Sequence, residues 1–345
     1  MLAIEAIRSV SAEQLPALTV LTGDDIGQFE VMKQQFLDKI GFAPSDLNYA
    51  YFDMKEAHYA DVELDLVSMP FFADEKIVIL DHFQDVTTAK KRSLTDEELK
   101  SFEQYLEAPA ETTKLVIFAE GKLDSKRRIV KLLKRDGQIF EALEPKEQDL
   151  RAYFAKQAEQ AGLTFAPHVF DQLLVKSGFN FSEISKNLAF LSSYKGTGLV
   201  EEADIVEAIP KTLQDNIFDL TQMVIGQQMD SAHQLVRDLT LQGEDEVKLI
   251  AIMLGQFRMF TQVKILAESG QTEQQIVTSL SDYLGRKVNP YQVKFALRDA
   301  RRLSLPFLKS ALKTLIETDY QIKTGVYDKD YLFELALLKI ATSPV

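Results

Sequence analysis

A strand, a glycine turn and a helix open this chain in the order that a phosphate-binding loop uses. Residues 18–23 have the apolar pattern of a short buried strand that ends in glycine, and an amphipathic helix is predicted over residues 24–40. A working loop has the pattern Gly-x4-Gly-Lys-[Ser/Thr], because backbone N–H groups, one ammonium and one hydroxyl hold the phosphates and Mg²⁺. Counted from Gly23, the three closing positions are Gln28, Phe29 and Glu30.

The replaced residues and the local charge both argue against nucleotide binding at this turn. None of Gln28, Phe29 and Glu30 supplies the ammonium or the hydroxyl of a working loop. Asp24 and Asp25 add negative charge that would repel a triphosphate. If the fold is of the nucleotide-binding type, we expect this chain to act structurally or by binding a partner rather than by catalysis.

The composition is that of a globular protein with more than one domain. The 345 residues are 46% hydrophobic and 26% charged, which is ample apolar material for two or three cores. The absence of cysteine excludes disulfides and thiolate metal sites. The four histidines are scattered singly without ligand spacing, so we expect no metal site and no cofactor.

Charge and hydropathy indicate where the protein works. The formal net charge of −13 argues against a general nucleic-acid coat, although a local basic patch is compatible with it. The first residues lack a basic region followed by an apolar run, so no secretory signal is predicted. No apolar stretch approaches the roughly 20 residues that span a bilayer. We therefore expect a cytoplasmic protein.

Residues 1–144 alternate between strand-like and helix-like segments. Residues 95–98 have the pattern of a capping box at the start of a helix, and Ser125 is a candidate cap for a basic helix that runs to about residue 135. The alternation predicts an α/β domain with a five-stranded, mainly parallel sheet that is covered on both faces. The predicted strands are residues 18–23, 47–52, 76–81, 114–118 and 138–143.

Beyond residue 145 the strand signal stops and helical periodicity continues to the end of the chain. Residues 145–210 are predicted to form a small helical domain, and Pro210 marks a linker. Residues 211–345 are predicted to form an all-helical bundle. Its longest helix, over residues 246–269, repeats apolar side chains at helical spacing.

Two features of the first domain are candidate sites, each with a structural alternative. Asp81 ends an apolar strand where a P-loop enzyme places a magnesium-organising acid, but the glutamate that should follow it is absent, and a structural aspartate is the commoner case. Pro70 should end the preceding helix and leave Phe71 and Phe72 in a loop. These two rings either pack under the sheet or form an exposed apolar plug for a partner.

The third candidate is a local reversal of charge in an acidic chain. Residues 122–135 carry one acid and seven basic side chains, which are Lys122, Lys126, Arg127, Arg128, Lys131, Lys134 and Arg135. A solvated helix face is the commoner explanation of such a run. The alternative is contact with a phosphate backbone or an acidic partner, for which Lys126, Arg127 and Arg128 are the candidates.

Six short segments, in their order along the chain, resemble the clamp-loader branch of the AAA+ family and, within it, the delta-subunit family. No segment is selective alone, but their order and spacing extend the resemblance over essentially the whole chain. The segments are residues 21–25 (LTGDD), 68–76 (SMPFFADEK), 122–126 (KLDSK), 216–220 (NIFDL), 289–291 (NPY) and 300–301 (AR).

The resemblance implies a fold, a role and a set of partners. Members of that family do not hydrolyse ATP, and they combine a degenerate AAA+ domain with a small helical domain and a helical collar. They bind and open the beta sliding clamp for loading onto primed DNA, as part of a DNA-directed DNA polymerase holoenzyme. By position, their apolar plug corresponds to Met69, Phe71 and Phe72. Their collar assembles with the gamma/tau and delta-prime subunits.

Two other functions are compatible with the residues. The first is a working P-loop NTPase or phosphotransferase with an atypical loop, which saturable binding of labelled ATP would favour. The second is a helical scaffold with no role on DNA, which co-purification with a sliding clamp or other loader subunits would exclude.

Overall fold

The computed structural model of the chain describes residues 2–70, 73–285, 288 and 290–344. The chain divides into two compact units, residues 1–209 and residues 210–345. The first unit contains the sheet. Its elements are α1 (Ala3–Ala6), β1 (Leu18–Gly23), α2 (Ile26–Ile40), β2 (Tyr49–Asp53), α3 (Tyr59–Val67), β3 (Lys76–Asp81), α4 (Asp96–Glu107), β4 (Thr113–Glu120), α5 (Arg128–Asp136), β5 (Gln138–Ala142), α6 (Glu147–Gln160), β6 (Leu163–Phe165), α7 (Val169–Lys176), α8 (Phe181–Lys195), β7 (Gly198–Val200) and α9 (Glu202–Ala208).

The predicted five-stranded sheet is confirmed, and all of its strand pairs are parallel. The strand order is β2-β3-β4-β1-β5, which puts β1 and β4 inside the sheet. Because side chains alternate along a strand, neighbouring residues of β1 enter opposite cores. Leu21 packs in the core on the α2 side, whereas Val20 packs in the core that contains α3, α4 and α5. The sheet is therefore covered on both faces, as predicted.

Three local predictions were wrong. The second strand is Tyr49–Asp53 rather than residues 47–52, because the Asp46 carbonyl accepts the Tyr49 N–H in a turn. Helix α5 begins at Arg128, and Ser125 does not cap it but accepts a hydrogen bond from Lys134. The strand signal does not stop at residue 145, since β6 and β7 form a parallel pair.

One apolar core joins the sheet to the helices that follow it within the first unit. Buried side chains from α2 and the sheet belong to the same cluster as those of α6–α9, and Ile4 and Ile7 near the N-terminus are completely buried in it. The predicted capping box of α4 is confirmed, because Thr95 and Glu98 exchange hydrogen bonds. The division of residues 1–209 into domains at residues 144 and 145 stays a prediction.

The second unit is helical, as predicted, and α12 is packed at its centre. Leu249, Met253 and Phe257 of α12 are completely buried, since helical spacing puts them on one face. At its first turn, Glu246 is held by Lys329 at 2.8 Å. The helices are α10 (Leu213–Ile225), α11 (Met229–Leu241), α12 (Glu246–Glu268), α13 (Glu273–Leu284), α14 (Pro290–Ala300), α15 (Leu305–Lys323) and α16 (Lys329–Ala341).

The expectation that no stretch approaches the length of a membrane span needs correction. By length and composition alone, α12 is apolar enough to cross a bilayer. Its buried side chains instead belong to the core of the second unit. Core helices of soluble proteins pass the same test, so this is weak evidence for a membrane span.

Candidate functional site

Only two residues connect β1 to α2, which is too short for the loop that wraps a phosphate. Asp24 and Asp25 follow Gly23, and α2 begins at Ile26. Two backbone donors of the turn are already used. Gly23 N–H donates to the Gly121 carbonyl at 3.1 Å, and Asp25 N–H donates to the Ala142 carbonyl at 3.1 Å. These two amides therefore point into the protein rather than toward a ligand.

The N-terminus of α2 is capped by a carboxylate of the chain itself. The Asp25 side chain accepts the Gln28 N–H at 2.8 Å. Burial raises the pKa of Asp25, the hydrogen bond from Gln28 opposes that rise, and Asp24 and Glu144 raise the pKa further. The positive end of the helix thus already has a carboxylate bound to it and more negative charge nearby, which disfavours a phosphate.

Gln28 is at the position of the second glycine of the motif, and it has a structural role. Its side chain is almost completely buried, and both ends of its amide are hydrogen-bonded. The amide oxygen accepts Ala3 N–H at 2.9 Å, and the amide nitrogen donates to the Leu143 carbonyl at 3.0 Å. Gln28 therefore joins the N-terminal segment and the residue after β5 to the start of α2.

The first turn of α2 is also in close contact with α8. A Cβ atom added at Gly27 would lie 2.1 Å from Ser182 Oγ and 3.0 Å from Ser182 N. The separation from Ser182 Oγ is far below van der Waals contact, so a residue larger than glycine would require Ser182 to shift. Asp25, Gln28 and Ser182 together surround the helix end that a nucleotide-binding loop leaves open.

Asp81 has three partners within the protein. Its carboxylate is bonded to Lys33 Nζ at 2.5 Å, accepts the Tyr51 hydroxyl, and accepts His82 N–H at 2.9 Å. Burial raises the pKa of Tyr51, and its hydrogen bond to Asp81 raises it further. Asp81 therefore fits the structural alternative. In the described ranges, three or more His, Asp or Glu side chains do not come together as a metal site would require.

His82 follows Asp81 in a left-handed backbone conformation, with φ of 54°. Its Nδ1 lies 2.9 Å from Asp53 Oδ1, which places a ring and a carboxylate side by side at the ends of β2 and β3. The backbone N–H of Lys55 lowers the pKa of Asp53, and the contact with His82 lowers it further. This corner is a polar network around Asp81, and its members bind one another.

Of the predicted clamp-binding residues, Met69 is described and Phe71 and Phe72 lie outside the described residues. Met69 follows the C-terminus of α3, and 74% of its surface is exposed. Two further apolar side chains on the last turns of α3 are also exposed, Leu64 and Val67. Sequence reasoning missed this pair, although their i, i+3 spacing puts them on one helix face.

The three predicted basic candidates have different environments. Arg127 is largely covered, and its guanidinium donates to the Asp85 carbonyl at 2.5 Å. Arg128 is exposed and pairs with Glu107 of α4 at 2.5 Å. Lys126 is exposed, and its ammonium has no ion pair within the described residues.

Arg127 holds two loops together and brings further lysines near Lys126. It donates to the Ala89 carbonyl at 3.4 Å, and Thr88 N–H donates to the Lys122 carbonyl at 2.9 Å. The exposed side chains of Lys90 and Lys91 follow directly after Ala89. Sequence reasoning missed these two residues, because they are more than thirty positions from Lys126 and only the Lys-Lys pair signals them.

Comparison with known proteins matches two segments of the chain to models of the same protein family. The family model for the DNA polymerase III delta subunit matches residues 20–143, and the model for the C-terminal domain of that subunit matches residues 214–340. A curated relative, DNA polymerase III subunit delta of Bacillus subtilis (strain 168), is 28% identical over 299 residues. The alignment covers 86% of this chain and 84% of the relative.

A solved structure also supports the fold. The chain is similar to the DNA clamp loader delta protein of Bacillus subtilis, with a TM-score of 0.57 and 24% identity, over 99% of both chains. The two family models match the segments that contain the degenerate turn and the helical bundle described above. This chain belongs to the DNA polymerase III delta subunit family.

Proposed function

We propose that this chain is the non-catalytic delta subunit of a clamp-loader complex, and that it binds and opens the beta sliding clamp in the cytoplasm. Membership of the delta subunit family supports the assignment to a DNA polymerase complex. The short turn at Gly23, where the N–H groups of Gly23 and Asp25 bond within the chain, supports a role without ATP hydrolysis. In this proposal the sibling subunits, gamma/tau and delta-prime, contact residues 211–345, and ATP bound by sibling subunits exposes or retracts the plug.

The observation that carries the clamp assignment is the exposure of Met69 at the end of α3. Exposing the apolar side chain of a methionine to water costs free energy, and this side chain is flexible enough to fill an irregular apolar pocket on a partner. Leu64 and Val67 extend the apolar surface along the helix. We propose that Met69, Phe71 and Phe72 form the plug that enters the clamp.

Opening a ring requires differential binding. The subunit shifts the clamp toward the open form only by binding that form more tightly than the closed form. Moving a two-state clamp from 1:99 to 99:1 takes a difference of about 5.5 kcal/mol. Full burial of one such side chain contributes roughly 1.5–3 kcal/mol. One side chain is therefore not enough, and we expect several plug residues to act together with a second contact on the first unit.

Substituting the plug residues tests this proposal. We expect Phe71→Ala with Phe72→Ala to abolish clamp binding in surface plasmon resonance, because the apolar anchors are lost while the fold remains. The control is Leu241→Ala, which shortens an exposed apolar side chain in the second unit. Unchanged clamp affinity of the double variant would refute the plug assignment.

Nucleotide independence is tested on the same protein. We expect the chain alone to bind the clamp with equal affinity in the presence and absence of ATP, and equilibrium dialysis to find no saturable ATP binding. Saturable binding would instead support the NTPase alternative.

We further propose that primed DNA contacts the lysines beside Arg127. Lys90, Lys91, Lys122 and Lys126 are exposed, and the two loops that carry them are hydrogen-bonded to each other. Arg127 then acts by holding these loops, and Arg128 by pairing with α4. Exposed ammonium groups without carboxylate partners release counterions when they meet phosphates.

The salt dependence of DNA binding by the assembled loader tests this surface. Replacing Lys90, Lys91 and Lys126 with Gln should reduce the slope of log K against log salt by up to about three. The control is Lys313→Gln with Lys323→Gln, two exposed lysines of α15 that pair with acids of their own helix. A slope equal to that of the unaltered loader would remove these lysines from the interface.

A further inference from the structure

Lys76 is a buried lysine at the base of the loop that carries the proposed plug. Only 6% of its surface is exposed, whereas lysine is almost never fully buried without partners. Its ammonium donates to Ser68 Oγ at 2.7 Å and lies 3.4 Å from Asp65 Oδ1. Both partners are at the C-terminal end of α3.

This contact joins the ends of a loop in which seven residues lie between Ser68 and Lys76. Ser68 N–H bonds to the Leu64 carbonyl at 3.0 Å, which fixes one end on α3. Lys76 N–H bonds to the Thr112 carbonyl at 2.9 Å, which fixes the other end beside β4. The Lys76 side chain then joins the two ends directly, and Met69 is the first residue inside the closed segment.

A second buried lysine holds the same segment from the neighbouring strand. Lys114 of β4 binds Glu75 Oε2 at 2.6 Å, and its ammonium also donates to the Ala12 carbonyl at 3.2 Å. Two lysines on adjacent strands therefore pair with acids of this segment: Lys76 with Asp65, and Lys114 with Glu75. Buried ammonium groups are costly unless they are paired, so their placement at one loop points to a role in holding it.

We propose that Lys76 is a positioning residue for clamp binding: it holds the base of the loop so that Met69 projects from α3 in the orientation in which it binds. This inference rests on the proposed function. Binding costs free energy for every side chain and loop that must be ordered, and a loop whose ends are already joined has less freedom to lose. Lys76 contributes to affinity through the loop and does not itself contact the clamp.

The test compares Lys76→Met in the full chain and in a peptide of residues 64–76. In the full chain we expect about tenfold weaker clamp binding, which is roughly 1.4 kcal/mol. The peptide lacks the sheet that holds Lys76, so the same substitution should leave its clamp affinity unchanged. A loss in the peptide as well would mean that Lys76 contacts the clamp, and the positioning role would be wrong.

Further variants separate positioning from a general loss of stability. Lys195→Met removes a different ion pair, with Asp204 at 2.7 Å and away from the loop, and should not alter clamp affinity. Lys76→Arg keeps the charge and should restore part of the affinity. If Lys76→Met fails to fold, Ser68→Ala removes only the hydroxyl acceptor and should weaken binding in the same direction.

The outcomes distinguish this inference from the proposed function. If the unaltered chain does not bind the clamp, the proposed function fails. If the unaltered chain binds and both Lys76→Met and Ser68→Ala bind equally well, only the positioning role of Lys76 is overturned. If each substitution weakens binding and their effects on the binding free energy are non-additive in the double variant, the effect comes from the Lys76–Ser68 contact.

Discussion

Gly23 illustrates how a single residue can keep a motif's shape after its chemistry is gone. Its φ of 147° lies where side chains are disfavoured, and an added Cβ would lie 2.2 Å from the Ala142 carbonyl oxygen. The glycine is therefore required by the close approach of β5 and not by a bound phosphate. The same residue type that suggests a nucleotide site in the sequence has a packing role in the structure.

Substitution of Gly23 by Ala should strongly destabilise the first unit. Backbone strain and the clash with Ala142 together should cost roughly 2–4 kcal/mol. The matched control is Gly41→Ala, where φ is 71° but no atom lies within 4 Å of the added Cβ; strain alone should cost roughly 1–2 kcal/mol. Thermal melts of both variants check this, and equal melting temperatures would contradict the packing role.

Residue-level roles were the part of the site least accessible to sequence reasoning. The absence of the lysine and hydroxyl could be read directly, because the motif has fixed spacing. That Gln28 would bridge Ala3 and Leu143 could not be read, since its partners are 25 and 115 positions away. Arg127 was predicted among the partner-facing cations, yet it is bonded to a backbone carbonyl 42 positions away.

At the level of elements, length decided which predictions were confirmed. The five strands of the sheet are apolar and at least five residues long, so their pattern stands out from the helices between them. Each of β6 and β7 has three residues, which is too short for a periodic signal. Helix α5 begins two residues later than predicted because residues 125–127 form a turn that Arg127 holds against Asp85.

The packing of α2 on α8 predicts an unusual response to a helix-favouring substitution. Ala is better than Gly in a helix by about 1 kcal/mol, yet Gly27→Ala should destabilise by roughly 1–3 kcal/mol because its Cβ would overlap Ser182. Adding Ser182→Gly should recover part of the loss. Denaturant melts of the single and double variants measure both effects, and a stabilised Gly27→Ala variant would contradict the contact.

The join between α12 and α16 should weaken in acid. The hydrogen bond from Lys329 lowers the pKa of Asp245, and the Val247 N–H lowers it further. A depressed folded pKa contributes stability above the ordinary value of 3.8, and this stability is lost as the pH falls below that value. Lys329→Met should flatten this dependence. Hydrogen exchange of α12 and α16 between pH 5 and about pH 3 measures it; an identical profile in the variant would contradict the role of Lys329.

For the whole molecule, the proposed functional sites are divided between the two compact units. Residues 1–209 contain the turn, the loop with Met69 and the lysines beside Arg127, and residues 210–345 contain the helical bundle. The overall class, α/β followed by all-α, could be predicted because the periodicity changes once along the chain. The contact between the sheet and α6–α9 could not, because it depends on which buried side chains meet.

Separate expression of the two units should separate their functions. Residues 1–209 enclose their own apolar cores and should fold alone and keep clamp binding, because the plug and Lys76 are retained. Residues 210–345 should keep association with sibling subunits and lose clamp binding. Surface plasmon resonance and size-exclusion chromatography check the two fragments. Clamp binding by the second fragment would contradict the placement of the site.

The side-chain amide of Gln28 has a consequence for how this subunit can be regulated. A contact between segments that is stabilised by a bound ligand becomes weaker when the concentration of that ligand falls. Here the contact between the N-terminal segment, α2 and the residue after β5 is made by the Gln28 side chain of the same polypeptide. It therefore does not vary with the concentration of adenine nucleotides in the cell. Under the proposed function, this position therefore gives the subunit no response to nucleotide of its own, and neighbouring subunits control when it binds and releases the clamp.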